Sequence, residues 1–467
     1  MPTVLGVDIG TTNTKVALVD VGARPRVRAL AAAPTPEPGA LKGVLLDLIG
    51  RVLRDESPEA VGIASMAETG VPLGAGGDPR GPWLRWNDQG AGAAAEALAR
   101  RLGRERLIGA TGVRPSAKVP LAKLAWLRDR GRAVDRWAGV ADLGCHLMTG
   151  RLATDHTLAG RSMAYRLPGA GEALATTFDA ELLAEVGLHP RQLPDVVAPG
   201  SVAGVVSDPA FVASGLRHGT PVVVAGHDHQ VGAYACGVRE PGDVADSVGT
   251  AEAVMTVVSG VPDPVAVGRA GMSSVVTVGG THRAVLAGSA GAGATVAWWL
   301  DHEGDHFARV PRLGDAPTGV IVLPYLAGRQ TPAPDPAARL RVIGRRPEHG
   351  PAELAKALLE GLSLQTRWML AEQARLAGEA ADPVVHLFGG PVAVNPSWVR
   401  VKARVLPSGV RLVREPETVA VGAALLAAVR AGGGEAPALD AERLTGGGAA
   451  YDDMMDRFVA AAEGRAA

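Results

Sequence analysis

The chain has 467 residues, enough for two or three domains, and its 47% hydrophobic content supplies ample core. Lysine plus arginine (47) nearly balances aspartate plus glutamate (48), and a net charge of -1 gives no electrostatic reason to expect nucleic acid or an anionic membrane as partner. Apolar runs are broken by charge or glycine well before the roughly 18 residues of a membrane span, and Asp8 interrupts the apolar start, so no signal peptide is read and a cytoplasmic protein is expected. Cys145 and Cys236 lie far apart in apolar contexts and are read as reduced packing residues.

The opening, VLGVDIGTTNTKVALVD, is two β-rich segments joined by Gly10, Thr11, Thr12 and Asn13. Such a turn offers backbone N–H groups and hydroxyls to one anion, and Asp8 at the strand end suits a hydrated Mg²⁺ opposite phosphates. An ordinary hairpin connection has the same composition. Lys15 reads as an outward-facing strand lysine. Amphipathic spacing predicts helices over Leu41 to Arg54 and Ala93 to Arg106, with a strand at Val61 to Ala64 between them. The turn-rich run Gly150 to Pro199 is expected to be a lid or substrate-side insertion.

Val222 to Ala225 reads as a buried strand closed by Gly226, which puts Asp228 at its carboxyl end, where open α/β sheets bind ligands. A helix N-cap is the competing reading of Asp228. His227 and His229 flank it; with no Cys or Glu at ligand spacing, they are expected to orient Asp228 or touch substrate rather than to hold a metal. GVREPG (237–242) punctuates the chain as a hinge would, giving expected domains 1–238 and 239–467. DVADSVGTAEAVMTVV then repeats the sense of the first hairpin, with Asp246, Gly249 and Thr250 standing as Asp8, Gly10 and Thr11 do. Pro351 to Leu376 reads as a long helix, Val384 to Phe388 as a buried strand ended by Gly389 and Gly390, and Thr418 to Arg430 as a helix covering the second half's sheet. The end past Gly432 is expected to be a loosely packed tail with one helix.

Five segments in this order resemble the FGGY carbohydrate kinase family: the Asp8 to Lys15 hairpin; PLAKLAWLRD (120–129); Gly226-His227-Asp228 with Gly249 and Thr250; LPYLAGRQTPAPDPAAR (323–339); and HLFGGPVAVNPSWVRVKARVL with EPETVAVGAALLAAV. Two departures stand out. Lys118 occupies a position where a small or aromatic residue is usual, and Gln330 displaces an arginine.

The resemblance implies a duplicated two-domain α/β fold of the actin-like, ribonuclease-H-like class with an interdomain cleft. It implies phosphoryl transfer from ATP with Mg²⁺ to a hydroxyl of a sugar or polyol, with Asp228 as general base. Gly10, Thr11, Thr12, Asn13, Gly249 and Thr250 would contact phosphates; Gly389, Gly390 and Asn395 would contact adenosine. Glu68, in SMAETG, stands where xylulokinases carry Gln-Met-His and glycerol kinases Gln-Arg-Glu-Thr; it keeps the glutamate and threonine and has Ala67 in place of the arginine. Trp86, Asn87 and Asp88 resemble the Trp-Asn-Asp of ketose kinases, with core packing of Trp86 as the alternative. Asp155 and Arg161 resemble pocket-shaping positions, with a surface salt bridge as theirs. A small-molecule acceptor and, by default, a homodimer are expected. A second reading keeps the fold and drops the chemistry, as an actin-like nucleotide switch or sugar-sensing pseudokinase; its mark would be loss of Asp8, Asp228 or a phosphate-turn threonine, and all are present.

Overall fold

The computed structural model describes residues 2–54, 56–379 and 382–465. The chain forms two compact units. One comprises Met1–Gly237, Ser274–His282 and Glu417–Leu439; the other comprises Val238–Ser273, Arg283–Pro416 and Asp440–Ala467. The backbone therefore leaves the first unit after Gly237 and returns to it twice.

The first unit is built on a sheet in the order Arg26–Pro34, Asn13–Asp20, Thr3–Ile9, Val61–Ser65, Pro221–His227, Gly204–Val205. Thr3–Ile9, Val61–Ser65 and Pro221–His227 run parallel, and each reads as a nearly continuous buried run because helices cover both faces. On one face Leu5, Val7 and Ile63 pack with Leu41, Leu45 and Leu48 of helix Leu41–Leu53 and with Leu143 of helix Val140–Thr149. On the other, Gly6 and Gly62 expose bare backbone, and helix Thr418–Gly432 lies directly on it. A Cβ at Gly6 would stand 1.9 Å from the Ala420 carbonyl oxygen, and one at Gly62 1.9 Å from that of Ala423.

That contact corrects an expectation. The closing helix covers the first sheet, not the second. It is apolar nearly all round, so its pattern demanded burial without saying against what. Gly103, at φ +84°, also splits the expected helix 93–106 into Gly92–Leu102 and Arg104–Thr111. The 150–199 insertion is anchored in the core: strand Ala153–Asp155 is buried throughout and packs on Pro221–His227.

In the second unit, strands Arg283–Ser289, Glu252–Val258, Val244–Val248, Val385–Phe388, Val410–Val413 and Ala441–Leu444 are neighbours in that order. Helix Pro351–Ala377 opens with proline and stops at Gly378, in the left-handed conformation that favours glycine. The tail is not loose. Ala441–Leu444 extends the sheet, and helix Asp452–Ala462 buries Met454, Phe458 and Ala461, with Phe458 edge-on to Trp368.

Candidate active site

Because the three central strands of the first sheet are parallel, their carboxyl ends share one edge, with Ile9 and His227 both in register with Ser65. Asp8 lies at the end of the first strand, Glu68 three residues past the second, and Asp228 immediately after the third. Three acids from distant parts of the chain therefore meet at the edge where α/β sheets bind ligands.

Asp228 is the first residue of helix Asp228–Ala235; the cap is His227, so the capping reading of Asp228 does not hold. Its Oδ1 accepts the His229 backbone N–H at 2.7 Å, while the Nε2 atoms of His227 and His229 stand 3.2 and 4.0 Å away. Burial raises the Asp228 carboxyl above its usual range, the nearby His229 opposes this, and Glu68 adds to it. Burial holds His227 well below its usual value, so its ring is neutral. One ligand atom from each of His227, Asp228 and His229 lies within 4.8 Å of the others. The third metal ligand missing from the sequence reading is thus Asp228 itself, and a transition metal there would occupy the lone pair that proton acceptance requires.

A network that sequence spacing did not reveal fixes this strand end. Gly226 has φ +129°, and a Cβ there would meet Thr157 Oγ1 at 2.5 Å and Asp155 Oδ1 at 2.9 Å. Thr157 Oγ1 accepts the His227 N–H at 2.9 Å and donates to Asp155 at 2.6 Å. Arg430 of the closing helix bonds Asp155 at 3.3 Å and the Val224 carbonyl at 2.8 Å. Asp155 is fully buried, so its surface-salt-bridge reading is overturned.

The first hairpin closes with the Gly10 N–H on the Asn13 carbonyl at 3.0 Å. Thr12 and Asn13 are exposed, whereas the Thr11 hydroxyl accepts the Trp86 indole N–H at 2.9 Å. Asp8 pairs across the strands with Lys15, which is not simply outward-facing: it forms a 2.6 Å ion pair with Glu417. Burial, then the nearby Asp228, raises Asp8 to about 8 against the pull of Lys15, and its Oδ1 is buried without a hydrogen-bond partner among the described residues.

Glu68 adopts φ +66°, a conformation a non-glycine residue keeps only when its surroundings enforce it. Arg161 bonds its carboxylate at 2.6 Å and Lys123 its carbonyl at 2.6 Å. Burial raises the Glu68 carboxyl, but Arg161, Lys118 and Lys123 together lower it overall. Arg161 is therefore no surface bridge either. The Trp86 backbone N–H bonds Thr69 Oγ1 at 3.0 Å, and Lys118 Nζ lies 5.3 Å from the Trp86 ring centre. Asn87 and Asp88 are exposed, and Asp88 accepts the Arg85 backbone N–H at 2.7 Å.

In the second unit Thr250 and Asn395 line one cavity of about 500 Å³, with Gly293, Phe307 and Pro391. Asn395 Oδ1 caps helix Pro396–Val405 through the Trp398 N–H. Gly389, at φ +121°, abuts the hairpin: a Cβ there would stand 2.0 Å from the Val248 carbonyl oxygen. Gly390, exposed, opens helix Gly390–Val394. Helix Gly293–Glu303 had not been singled out in the sequence, although GSAGAGAT carries its signal. Its first N–H groups bond the Gly249 and Thr250 carbonyls at 3.1 and 2.9 Å. Asp246 does not match Asp8: it is fully buried and ion-paired with Lys402.

Residues 41–235 match the N-terminal domain of the FGGY family of carbohydrate kinases, and residues 244–431 match its C-terminal domain. The chain belongs to the FGGY family of carbohydrate kinases. It is a phosphotransferase acting on an alcohol group, and kinases of this family use ATP. It is 31% identical to a xylulose kinase of Streptomyces rubiginosus over 91% of this chain and 88% of that one. It is 28% identical to a glycerol kinase of Aromatoleum aromaticum over 80% and 76%. The ligand-bound xylulose kinase of Lactobacillus acidophilus superposes with a TM-score of 0.86 at 19% identity, over 99% of this chain and 98% of that chain, which establishes the two-domain actin-like α/β fold. Among the described residues no helix is long and apolar enough to cross a membrane.

Proposed function

We propose that this FGGY kinase transfers the γ-phosphoryl group of MgATP to a hydroxyl of a sugar, polyol or related polyhydroxy compound, with Asp228 as general base. The supporting observation is the Asp228 carboxylate itself. It stands at a sheet's carboxyl edge, its side chain is 21% exposed, and two histidines hold it with a proton affinity raised by burial. The relatives named for xylulose and glycerol favour a polyhydroxy acceptor.

In this reading the acceptor oxygen attacks the γ-phosphorus as its proton passes to Asp228. The bond from the γ-phosphorus to the bridging oxygen breaks, and ADP leaves. Neutral His227 and the backbone N–H of His229 orient the carboxylate. Gly10, Thr12, Asn13, Gly249 and Thr250 offer phosphate contacts, Gly389, Gly390 and Asn395 adenosine contacts, and Trp86 an apolar face for the acceptor's C–H surface, with Asn87 and Asp88 as the acceptor contacts beside it. Asp8, with a buried carboxylate oxygen that no described residue satisfies, fits a hydrated Mg²⁺, which would neutralise phosphate charge there.

Asp228→Asn, assayed by coupled ADP release against ketoses and polyols, is expected to keep nucleotide binding and lose about 10²–10⁴-fold in transfer. A fully active variant would sink the assignment. ADP release independent of any acceptor would instead favour a nucleotide switch.

A further inference from the structure

Asp228 stands just past an irregularity in its own strand. The pairing of Pro221–His227 with Val61–Ser65 slips by one residue between Val224 and Gly226, as at a β-bulge, and bulges beside active sites re-aim the side chains that follow. Two residues later the chain enters helix Asp228–Ala235. That helix lies so close to the closing helix that a Cβ at Gly422 would stand 2.3 Å from the Val231 carbonyl oxygen. The direction of the Asp228 carboxylate follows from this backbone, because its Oδ1 is bound by the N–H of the next residue, His229.

Both flanks of the slip are held by side chains that converge on one carboxylate. Before it, Arg430 donates to the Val224 carbonyl, and the same guanidinium bonds Asp155 Oδ2 and, at 3.1 Å, the Val278 carbonyl. After it, the His227 N–H donates to Thr157 Oγ1, whose own hydrogen goes to Asp155 Oδ1; the Thr157 backbone N–H bonds that same oxygen at 2.8 Å. The Arg430 and Asp155 side chains are 2% and 1% exposed. An apolar cluster of the same shape would pack a helix on this sheet about as well, so what the buried, directional network adds is a fixed geometry. Within it Thr157 is the member that bonds the backbone next to Asp228.

We propose that Thr157 is a positioning residue for the general base: held by the Arg430–Asp155 pair, its hydroxyl fixes the His227 N–H and so the angle at which Asp228 meets the acceptor hydroxyl. This rests on the reading of Asp228 as base and deepens it. Proton transfer needs the carboxylate within hydrogen-bond reach of that hydroxyl, and a misplacement of about 1 Å can cost about 10²-fold in rate. Glycine at 226 belongs to the same device, since any Cβ there would displace the Thr157 hydroxyl. Asp155, at a position the resemblance assigns to shaping the pocket, then acts on the base instead.

The test compares Thr157→Val, which keeps the shape and removes the hydroxyl, with Thr157→Ser, which keeps the hydroxyl. Both are assayed in the full chain with MgATP and either D-xylulose or glycerol, and ADP binding is followed by calorimetry. Expected is a kcat lowered about 10–100-fold in Thr157→Val, with acceptor KM and ADP affinity within about twofold of wild type, and kcat largely restored in Thr157→Ser. In an Asp228→Asn background the hydroxyl should no longer matter, so Thr157→Val should add little to that loss. Weaker ADP or acceptor binding with kcat unchanged, equal kcat losses in the valine and serine variants, or a full further loss on top of Asp228→Asn each overturn the proposal. Should Thr157→Val fail to fold, Thr157→Ala against Thr157→Ser carries the same comparison. Full activity of Asp228→Asn would remove the base and the positioning role with it; an impaired Asp228→Asn beside a fully active Thr157→Val overturns the positioning role alone.

Discussion

The two hairpins that look like repeats in the sequence use their acids in opposite ways. Asp8 stands at a strand end with one carboxylate oxygen unsatisfied, and the neighbouring Lys15 is drawn off to Glu417. Asp246 sits three residues before its turn glycine, where the period of the strand turns it into the core; there Lys402, 0% exposed, clasps it together with Glu252 on the opposite leg at 2.5 Å. Thr366 adds a 2.8 Å bond to Glu252. The first hairpin leaves a carboxyl oxygen open to a ligand, and the second uses its charge to tie its own two legs together.

The largest effect should come from breaking that tie. Lys402→Met leaves two buried carboxyl groups with no counter-charge, and losing one partner of a buried ion pair costs about 3–5 kcal/mol. Lys15→Met removes a pair whose lysine is 28% exposed, and should change stability by less than about 1 kcal/mol. Urea unfolding of both variants checks this. Equal losses would mean that the hairpins are equivalent after all. In Lys402→Met, burial and the nearby Glu252 favour a protonated Asp246, so part of the loss should return as the pH is lowered.

A second, smaller effect concerns pH. Asp155 is buried, but His156 and Arg430, with Thr157, hold its carboxyl down at about 2. A depressed acid stabilises the fold fully above its unfolded value near 3.8 and loses that contribution as the pH falls toward 2. The shift corresponds to about 2 kcal/mol. His156 is shifted the other way: burial alone would lower it, but Asp155 and the Thr277 carbonyl raise it. Its contribution is complete below about 6.5 and declines as the pH rises through the raised value. Stability measured against pH should fall on both sides. In Asp155→Asn the slope between pH 4 and 2 should be shallower by about one proton, and an unchanged slope would remove Asp155 from the account.

Much of this arrangement was legible in the sequence. Strand period and glycine placement were enough to put Asp8 and Asp228 at strand ends, because those signals are local. What escaped notice depends on partners far along the chain. Arg161 reaches Glu68 across 93 positions, Arg430 reaches Asp155 across 275, and Lys402 reaches Glu252 across 150. No spacing rule connects such residues. Glycines carried more information than they first offered: Gly6 and Gly62, bare in the middle of buried strands, marked where a helix would lie on the backbone, and that helix was Thr418–Gly432. Asp246 was misread for a related reason, since matching a motif by residue type ignores which way alternate strand residues point.

The smallest expected effect tests the availability of the first hairpin. Trp86 donates its indole N–H to Thr11 at 2.9 Å, joining the acceptor side to the phosphate turn through a single neutral hydrogen bond. Such a bond contributes about 0.5–1.5 kcal/mol. Trp86→Phe keeps most of the apolar face and frees the Thr11 hydroxyl, so the global unfolding midpoint should barely move. The change should appear instead in the response to substrates. If the bond couples the two sides, ATP and acceptor should each tighten the other's binding by a measurable factor in wild type and by less in the variant. That factor is the same in either order of addition. Identical coupling in the two proteins would reduce Trp86 to a packing residue that happens to touch the turn, which the Gly10–Asn13 bond and the Thr35 bonds to the Gly10 and Thr12 carbonyls would then organise without it.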